Sequence, residues 1–417
     1  MRANSKDPSS SFWSGTVCHF ACLSFSCLPS ESLRAAVKGV SIWWDVLFPS
    51  LFPFFVIAEL MLGFGLVHFF GTIFDPMMRP LFRVPGIGGF VMAMGFASGY
   101  PVGAKLTAGL WKEKMINREE AERLVSFTTS SDPIFLIGAV SVGFFHDVSL
   151  AVILAAAHYG SSLLLGFLMR FHARKADGTP KNKQGDDDKR ISSLLFRALK
   201  VMHEARTSDG RSLGKLLTDA VVNSLQLMTV VGGLVVFFSV IMEVLISGRL
   251  LTVLQHAFGY MLALFHMPGS LSDALMNGLF EVTLGAKAAA NDPSPLPLKV
   301  AVAAFGLSWA GLSVHAQIVS LLSETTLRYR PFLIARIVHA FLSFGAVLLL
   351  WNPLSSLRGQ IPAFADGMRS ESLLSSWLSY ALPASFVIFA ATLFCIPLLY
   401  CLYRIIKSIL LWARHSS

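Results

Sequence analysis

Pro85-Gly-Ile-Gly-Gly-Phe-Val-Met-Ala-Met-Gly-Phe-Ala-Ser-Gly-Tyr-Pro-Val-Gly-Ala-Lys105 is the stretch on which the fold turns. It is apolar enough for a membrane, yet Pro85, Gly86, Gly88, Gly89, Gly95, Gly99, Pro101 and Gly103 crowd it. In a helix interior glycine is about 1 kcal/mol, and proline about 3 kcal/mol, worse than alanine. Residues 86–110 therefore make a poor straight spanning helix and a good re-entrant hairpin. Broken backbone at membrane depth is tolerated where it packs against protein or lines a cavity. A second segment, 271–290, is likewise apolar and rich in Gly, Ala and Ser.

Around these two segments run apolar stretches long enough to cross a bilayer, which takes about 20 residues. They are 12–29, 43–70, 124–145, 148–170, 219–247, 300–322, 332–351 and 379–403. Of 417 residues 54% are hydrophobic and only 14% charged, against about 25% charged in an ordinary soluble domain. The fold class is all-α: a polytopic membrane protein of about eight transmembrane helices plus two re-entrant hairpins. The first run follows Arg2 and Lys6 and reads as a retained helix, since Cys27-Leu-Pro-Ser-Glu31 is a poor signal-cleavage site.

Charge sets the topology. The net charge of +9 lies in short segments between apolar runs, as in loops facing anionic lipid on the cytoplasmic side. No alternation of basic and aromatic residues suggests a nucleic-acid groove. With the N-terminus inside and 86–110 re-entrant, Arg79, Arg83, Lys112, Lys114, Arg118 and Arg123 fall inside. So do the basic residues of 172–215, then Arg328, Arg330 and Arg336, and finally Arg404, Lys407 and Arg414. Arg34, Lys38, Arg249, Lys299, Arg358 and Arg369 do not fit. Both termini are expected in the cytoplasm. The chain divides into an N-terminal helix and connector (1–41), a first membrane repeat with its following helix (42–171), a flexible cytoplasmic linker (172–215), a second repeat (216–323) and C-terminal transmembrane helices (324–417). The five cysteines, Cys18, Cys22, Cys27, Cys395 and Cys401, lie in apolar end segments without a CxxC pair. They indicate neither a disulfide framework nor a metal site.

The halves repeat. Ser98-Gly-Tyr-Pro-Val-Gly-Ala-Lys105 matches Phe280-Glu-Val-Thr-Leu-Gly-Ala-Lys287, and each ends in Gly-Ala-Lys. Asp132 lies 27 positions after Lys105, and His315 lies 28 positions after Lys287. An odd number of crossings separates equivalent elements, so the second repeat is expected to enter from the opposite side. Inverted repeats with broken helices at mid-membrane are a build of secondary transporters, with the solute where the repeats meet.

Charges inside a membrane cost about 2.5–3.5 kcal/mol on insertion scales and mark pathways or pairs. Lys105, Asp132, Glu281, Lys287 and His315 all sit in such broken apolar sequence. In the functional reading Ser98, Tyr100, Thr128, Ser130, Ser131, Thr283, Ser313 and Gln317 supply hydrogen bonds. Lys105 and Lys287 attract an anion, and Glu281, Asp132 or His315 balances charge or carries a coupling proton. In the structural reading Lys105 snorkels or pairs with Asp132. His68, His158 and His339 read as packing or interfacial residues. Nucleotide-binding, zinc-protease and serine-hydrolase motifs are missing, so the expectation is no enzyme, no cofactor and no metal.

Trp43-Trp-Asp-Val-Leu-Phe-Pro-Ser-Leu-Phe-Pro-Phe-Phe55, Met77-Met-Arg-Pro-Leu-Phe-Arg-Val-Pro-Gly86, Gly99-Tyr-Pro-Val-Gly-Ala-Lys105, Thr128-Thr-Ser-Ser-Asp-Pro133, Glu281-Val-Thr-Leu-Gly285 and Gly311-Leu-Ser-Val-His-Ala-Gln317 resemble the YlbJ family of sporulation integral membrane proteins, over roughly 12–413. That family is similar to nucleoside-recognition, or Gate, domains and distantly to concentrative nucleoside transporters. The resemblance implies a role in endospore formation, including the cortex stage, and a place in the outer forespore membrane. The implied activity moves dipicolinic acid out of the mother cell, with Glu281 and the Ser98–Lys105 hairpin as site. A small planar dianion suits two repeat-related lysines. The alternatives are a nucleoside-type permease and a non-transporting scaffold for cortex assembly. The expected partners are a small anionic solute and the lipid bilayer, with a homo-oligomer or other sporulation membrane proteins as further possibilities, and no nucleic acid. Alternating access, one hairpin gating each side, is the expected mechanism.

Overall fold

The computed structural model describes residues 29–41, 43–44, 48–180, 191–247, 250–354, 390–391 and 394–405. Among them all regular structure is helical. In chain order the helices are α1 (Pro29–Ser41), α2 (Phe48–Gly63), α3 (Leu66–Phe82), α4 (Ile87–Ser98), α5 (Tyr100–Lys112), α6 (Arg118–Thr128), a π-helix (Ile134–Phe144), α7 (Leu150–Met169), α8 (Ile191–Asp209), α9 (Leu213–Ser247), α10 (Leu250–Leu264), α11 (Ser272–Phe280), α12 (Val282–Asn291), α13 (Leu296–Trp309), α14 (Gly311–Leu322) and α15 (Tyr329–Leu350).

Among the described residues four segments are long and apolar enough to cross a membrane: α7, α9, α13 with α14 (Leu296–Leu322), and α15. Phe55–Gly63 with Leu66–Phe82 makes a fifth if a bent pair counts as one span, but the two are inclined by 80°. The sequence run 43–70 is thus no straight helix. The run 124–145 is also broken: α6 stops at Thr128, and the π-helix begins at Ile134. Pro133 explains the gap, because the residue before a proline is pushed out of the helical region. The expected first span, 12–29, and most of 379–403 lie outside the described residues; 394–405 is helical.

The linker expectation is corrected in part. Residues 191–209 form α8, which packs on α3. Leu194, Ala198, Met202 and Ala205 recur at helical spacing on its less exposed face. Opposite them, Leu195, Phe196 and Leu199 stand exposed beside Arg197 and Lys200, the make-up of a helix lying in a membrane interface.

Both Gly-rich segments fold as hairpins. α4 and α5 meet at Gly99, whose φ of 90° is costly for any residue with a Cβ. A Cβ on Gly95 or on Gly103 would stand 2.4 Å or 2.7 Å from the same Thr128 carbonyl oxygen. Eight residues of straight helix cover about 12 Å, too far for both to touch one atom, so the arms fold back. α11 and α12 turn at Glu281, which is extended (φ −141°, ψ 124°). There Gly278 and Gly285 face each other, and a Cβ on Gly285 would lie 2.3 Å from the Gly278 Cα. Lipid provides no hydrophobic drive between helices, so close approach of small residues supplies the packing. Larger side chains fill the rest. Phe74, Phe82, Phe90 and Phe127 form a core around the first hairpin. Leu136, Ile153, Val300 and Leu307 form another between the π-helix, α7 and α13. Tyr100, Ala104, Ala310, Val314 and Phe332 join the first hairpin to the second half.

Candidate functional site

Each hairpin tip sits on a break in a following helix. A Cβ on Gly99 would meet Asp132 Oδ2 at 3.0 Å, and a Cβ on Gly311 would meet the Phe280 carbonyl oxygen at 2.9 Å. The first tip therefore abuts the gap Thr129–Pro133, and the second abuts the gap at Ala310. Ala310 is buried and left-handed, with φ 77°, a strain of about 1 kcal/mol or more for a non-glycine residue.

A helix that stops inside a membrane leaves carbonyls without partners, and an unsatisfied one costs several kcal/mol there. At the end of α6, Leu124 O and Val125 O accept from the hydroxyls of Thr128 (2.9 Å) and Thr129 (2.7 Å). Phe127 O accepts from Ser162 Oγ at 2.6 Å, and Ser126 O from Arg336 Nη2. At the end of α13, Gly306 O accepts from Ala310 N at 2.8 Å. Leu307 O accepts from the Tyr100 hydroxyl at 2.7 Å, Ser308 O from Arg336 Nη1 at 3.4 Å, and Trp309 O from His315 Nε2 at 3.0 Å. Arg336 Nη1 also reaches Thr129 O at 2.6 Å.

The opposite, N-terminal ends carry the acids. Asp132 Oδ1 accepts from Phe135 N at 2.9 Å at the head of the π-helix. Glu281 Oε2 accepts from Leu284 N at 2.8 Å at the head of α12. A carboxylate at a helix N-terminus satisfies an orphan donor and meets the positive end of the dipole.

His158 bridges the two breaks. Its Nε2 accepts from Ser131 N at 3.0 Å, which makes Nε2 the unprotonated nitrogen. Ser130 Oγ then donates to the same nitrogen, and Nδ1–H donates to Ser308 Oγ, both at 2.9 Å. His339 Nε2 donates to the His158 carbonyl at 3.0 Å. His315 is held by the Tyr329 hydroxyl at 2.7 Å, with its ring 4.3 Å from that of Trp309.

The predicted residues divide. Ser98, Tyr100, Thr128, Ser130, Ser131 and Asp132 gather where the first tip meets the first break; Ser98 and the run Thr128–Ser131 are buried. Glu281 and Thr283 lie at the second tip. Ser313, His315 and Gln317 are buried on α14. Lys105 stands apart: it pairs with Glu59 at 2.8 Å and lies over the Phe55 ring. Lys287 is exposed on α12. Sequence reasoning missed Glu59, Ser308 and Arg336. Arg336 was counted with the inside loop charges, whereas it is 0% exposed. The available signal was Arg336 and His339, three apart on one face of an apolar helix. His158 and His339 do pack in the interior, as expected, and hydrogen-bond there as well.

Away from the spans, Glu122 joins the halves. Its carboxylate accepts from Arg328 Nε and Nη2 and from His172 Nε2, all at 2.8 Å. Burial pushes this carboxyl up, and the Arg328 and His172 hydrogen bonds outweigh burial, so it titrates below its ordinary 4.5. The stability it contributes is fully present above that ordinary value and is lost as pH falls through the lower folded one. Between pH 7 and pH 3 the wild-type melting midpoint should therefore fall further than that of Glu122→Gln; parallel curves would refute this assignment.

A family model described as Gate, nucleoside recognition, matches residues 45–171, the part holding the first hairpin and the first break. The chain is 46% identical over 326 residues to the sporulation integral membrane protein YlbJ of Bacillus subtilis (strain 168), covering 78% of this chain and 79% of that protein. No solved structure matches.

Proposed function

The chain belongs to the family of the sporulation integral membrane protein YlbJ, and on that premise we propose that it is a transporter of sporulating cells that moves a small carboxylate anion, dipicolinic acid, from the mother cell across the outer forespore membrane. The observation that carries this reading is the meeting of two broken helices, each faced by a hairpin tip, beside buried hydroxyls. Among the described residues Ser98 Oγ has no hydrogen-bond partner, although burying such a group unpaired costs about 1–3 kcal/mol. A solute that accepts from it accounts for that cost. Lys105, ion-paired with Glu59 at 2.8 Å, lies along the first hairpin arm.

In this reading the two halves are inverted repeats with both termini in the cytoplasm. Eight spans and two hairpins work by alternating access and need no enzymatic step. Asp132 and Glu281, at the heads of two half-helices, are the candidates for carrying a coupling proton. A second reading, a nucleoside-type permease, is favoured by the description of the family model over 45–171.

Uptake of dipicolinate into proteoliposomes holding the purified protein, followed by terbium luminescence in the lumen, separates the two. Saturable uptake that excess inosine leaves unchanged is the expected result. Inosine uptake with no dipicolinate uptake would establish the permease instead.

A further inference from the structure

Arg336 is fully buried, and no carboxylate pairs with it among the described residues. A buried unpaired charge is expensive, so its neutralisation needs a source. The guanidinium touches the C-terminal ends of both half-helices, through Ser126 O and Thr129 O on one side and Ser308 O on the other. Each helix C-terminus carries roughly half a negative charge. Two such ends sum to about one, which matches a single guanidinium. Carbonyls at unwound backbone and half-helix C-termini form the kind of nest in which secondary transporters hold a free coupling cation. Here the cation is covalently attached, through the side chain of α15. Its Nε has no partner among the described residues, so the guanidinium keeps one donor beyond the carbonyls it neutralises.

We propose that Arg336 is a tethered cation: it fills the site that the ends of α6 and α13 build between them, so that the protein neither binds nor needs a sodium ion there. The consequence for coupling rests on the transport reading; the occupancy of the site does not. In that reading the conformational cycle is released from a sodium gradient, and the carboxylates Asp132 and Glu281 stand beside Tyr100, His158 and His315 as titratable groups of the centre.

The test uses the full chain in detergent, and its first part needs no substrate. The wild-type melting midpoint should be the same in sodium chloride and in choline chloride at equal ionic strength. Arg336→Ala should melt about 5 °C lower or more, and methylguanidinium should restore part of the loss where tetramethylammonium does not. If Arg336→Ala does not fold, Arg336→Lys, which keeps the charge on a shorter reach, should fold with a lowered midpoint and stay indifferent to sodium. A sodium-stabilised wild type would overturn the proposal, as would an alanine variant as stable as the wild type. In proteoliposomes uptake should be equal with and without a sodium gradient; dependence on sodium would overturn it too. Absence of uptake under all conditions, with the midpoints behaving as stated, would count against the transport reading and leave the tethered cation standing.

Discussion

Gly285→Val is expected to abolish the folded protein, measured as loss of the monodisperse peak on size exclusion in detergent. A Cβ at this position lies 2.3 Å from the Gly278 Cα and 2.6 Å from its nitrogen. Both are backbone atoms, so no rotamer can yield. Overpacking a core with side chains costs typically 1–3 kcal/mol, and a backbone clash exceeds that range. The α11–α12 hairpin would have to open, which displaces Glu281 from the break at Ala310. Gly109→Ala is the control, because no atom stands within 4 Å of the added carbon. It should fold normally, with a gain of up to about 1 kcal/mol from helix propensity.

His158→Leu is expected to cost about 4 kcal/mol in stability, measured as equilibrium unfolding of the purified protein. The imidazole satisfies Ser130 Oγ, Ser131 N and Ser308 Oγ at once. Leucine keeps the bulk and removes all three bonds. A buried group left unpaired costs about 1–3 kcal/mol, and the Ser131 N–H cannot rotate towards another acceptor. Ser308→Ala removes a hydroxyl from the same bridge without orphaning a backbone donor, so its loss should be smaller, about 1 kcal/mol. Equal losses in the two variants would mean that the bridge between the breaks is not what His158 contributes.

Much of this was legible from residue chemistry. Glycine and proline density marked 86–110 as a hairpin, and the Gly-Ala-Lys match tied 271–290 to it; the turns themselves, at Gly99 and Glu281, come from the structure. Thr128-Thr-Ser-Ser-Asp-Pro133 was identified as polar sequence within an apolar run, but its consequence, a gap between α6 and the π-helix, was not drawn. The misses share a cause: the sequence ranks a residue by its neighbours in the chain, whereas the fold places it by its neighbours in space. Arg336 follows Arg328 and Arg330 closely enough to be counted as a loop charge, yet it lies two turns inside α15. Lys105 was weighed against Asp132 across the break, while its partner, Glu59, sits on α2 in a run read as simply apolar. In 172–215 the charge masked the helical spacing of Leu194, Ala198, Met202 and Ala205. The relation between the two lysines was legible as a repeat, but the structure places one in an ion pair and the other on an exposed face.

The measurement that bears most directly on the site is dipicolinate uptake by Ser98→Ala beside wild type, with the melting midpoint of each. Its hydroxyl has no partner among the described residues, so its removal should leave the midpoint unchanged or slightly raised. If it binds the solute, uptake should fall about tenfold or more, the equivalent of roughly 1.4 kcal/mol of lost binding. Unchanged uptake in a variant that is no less stable would contradict the account and move the solute away from the hairpin tip.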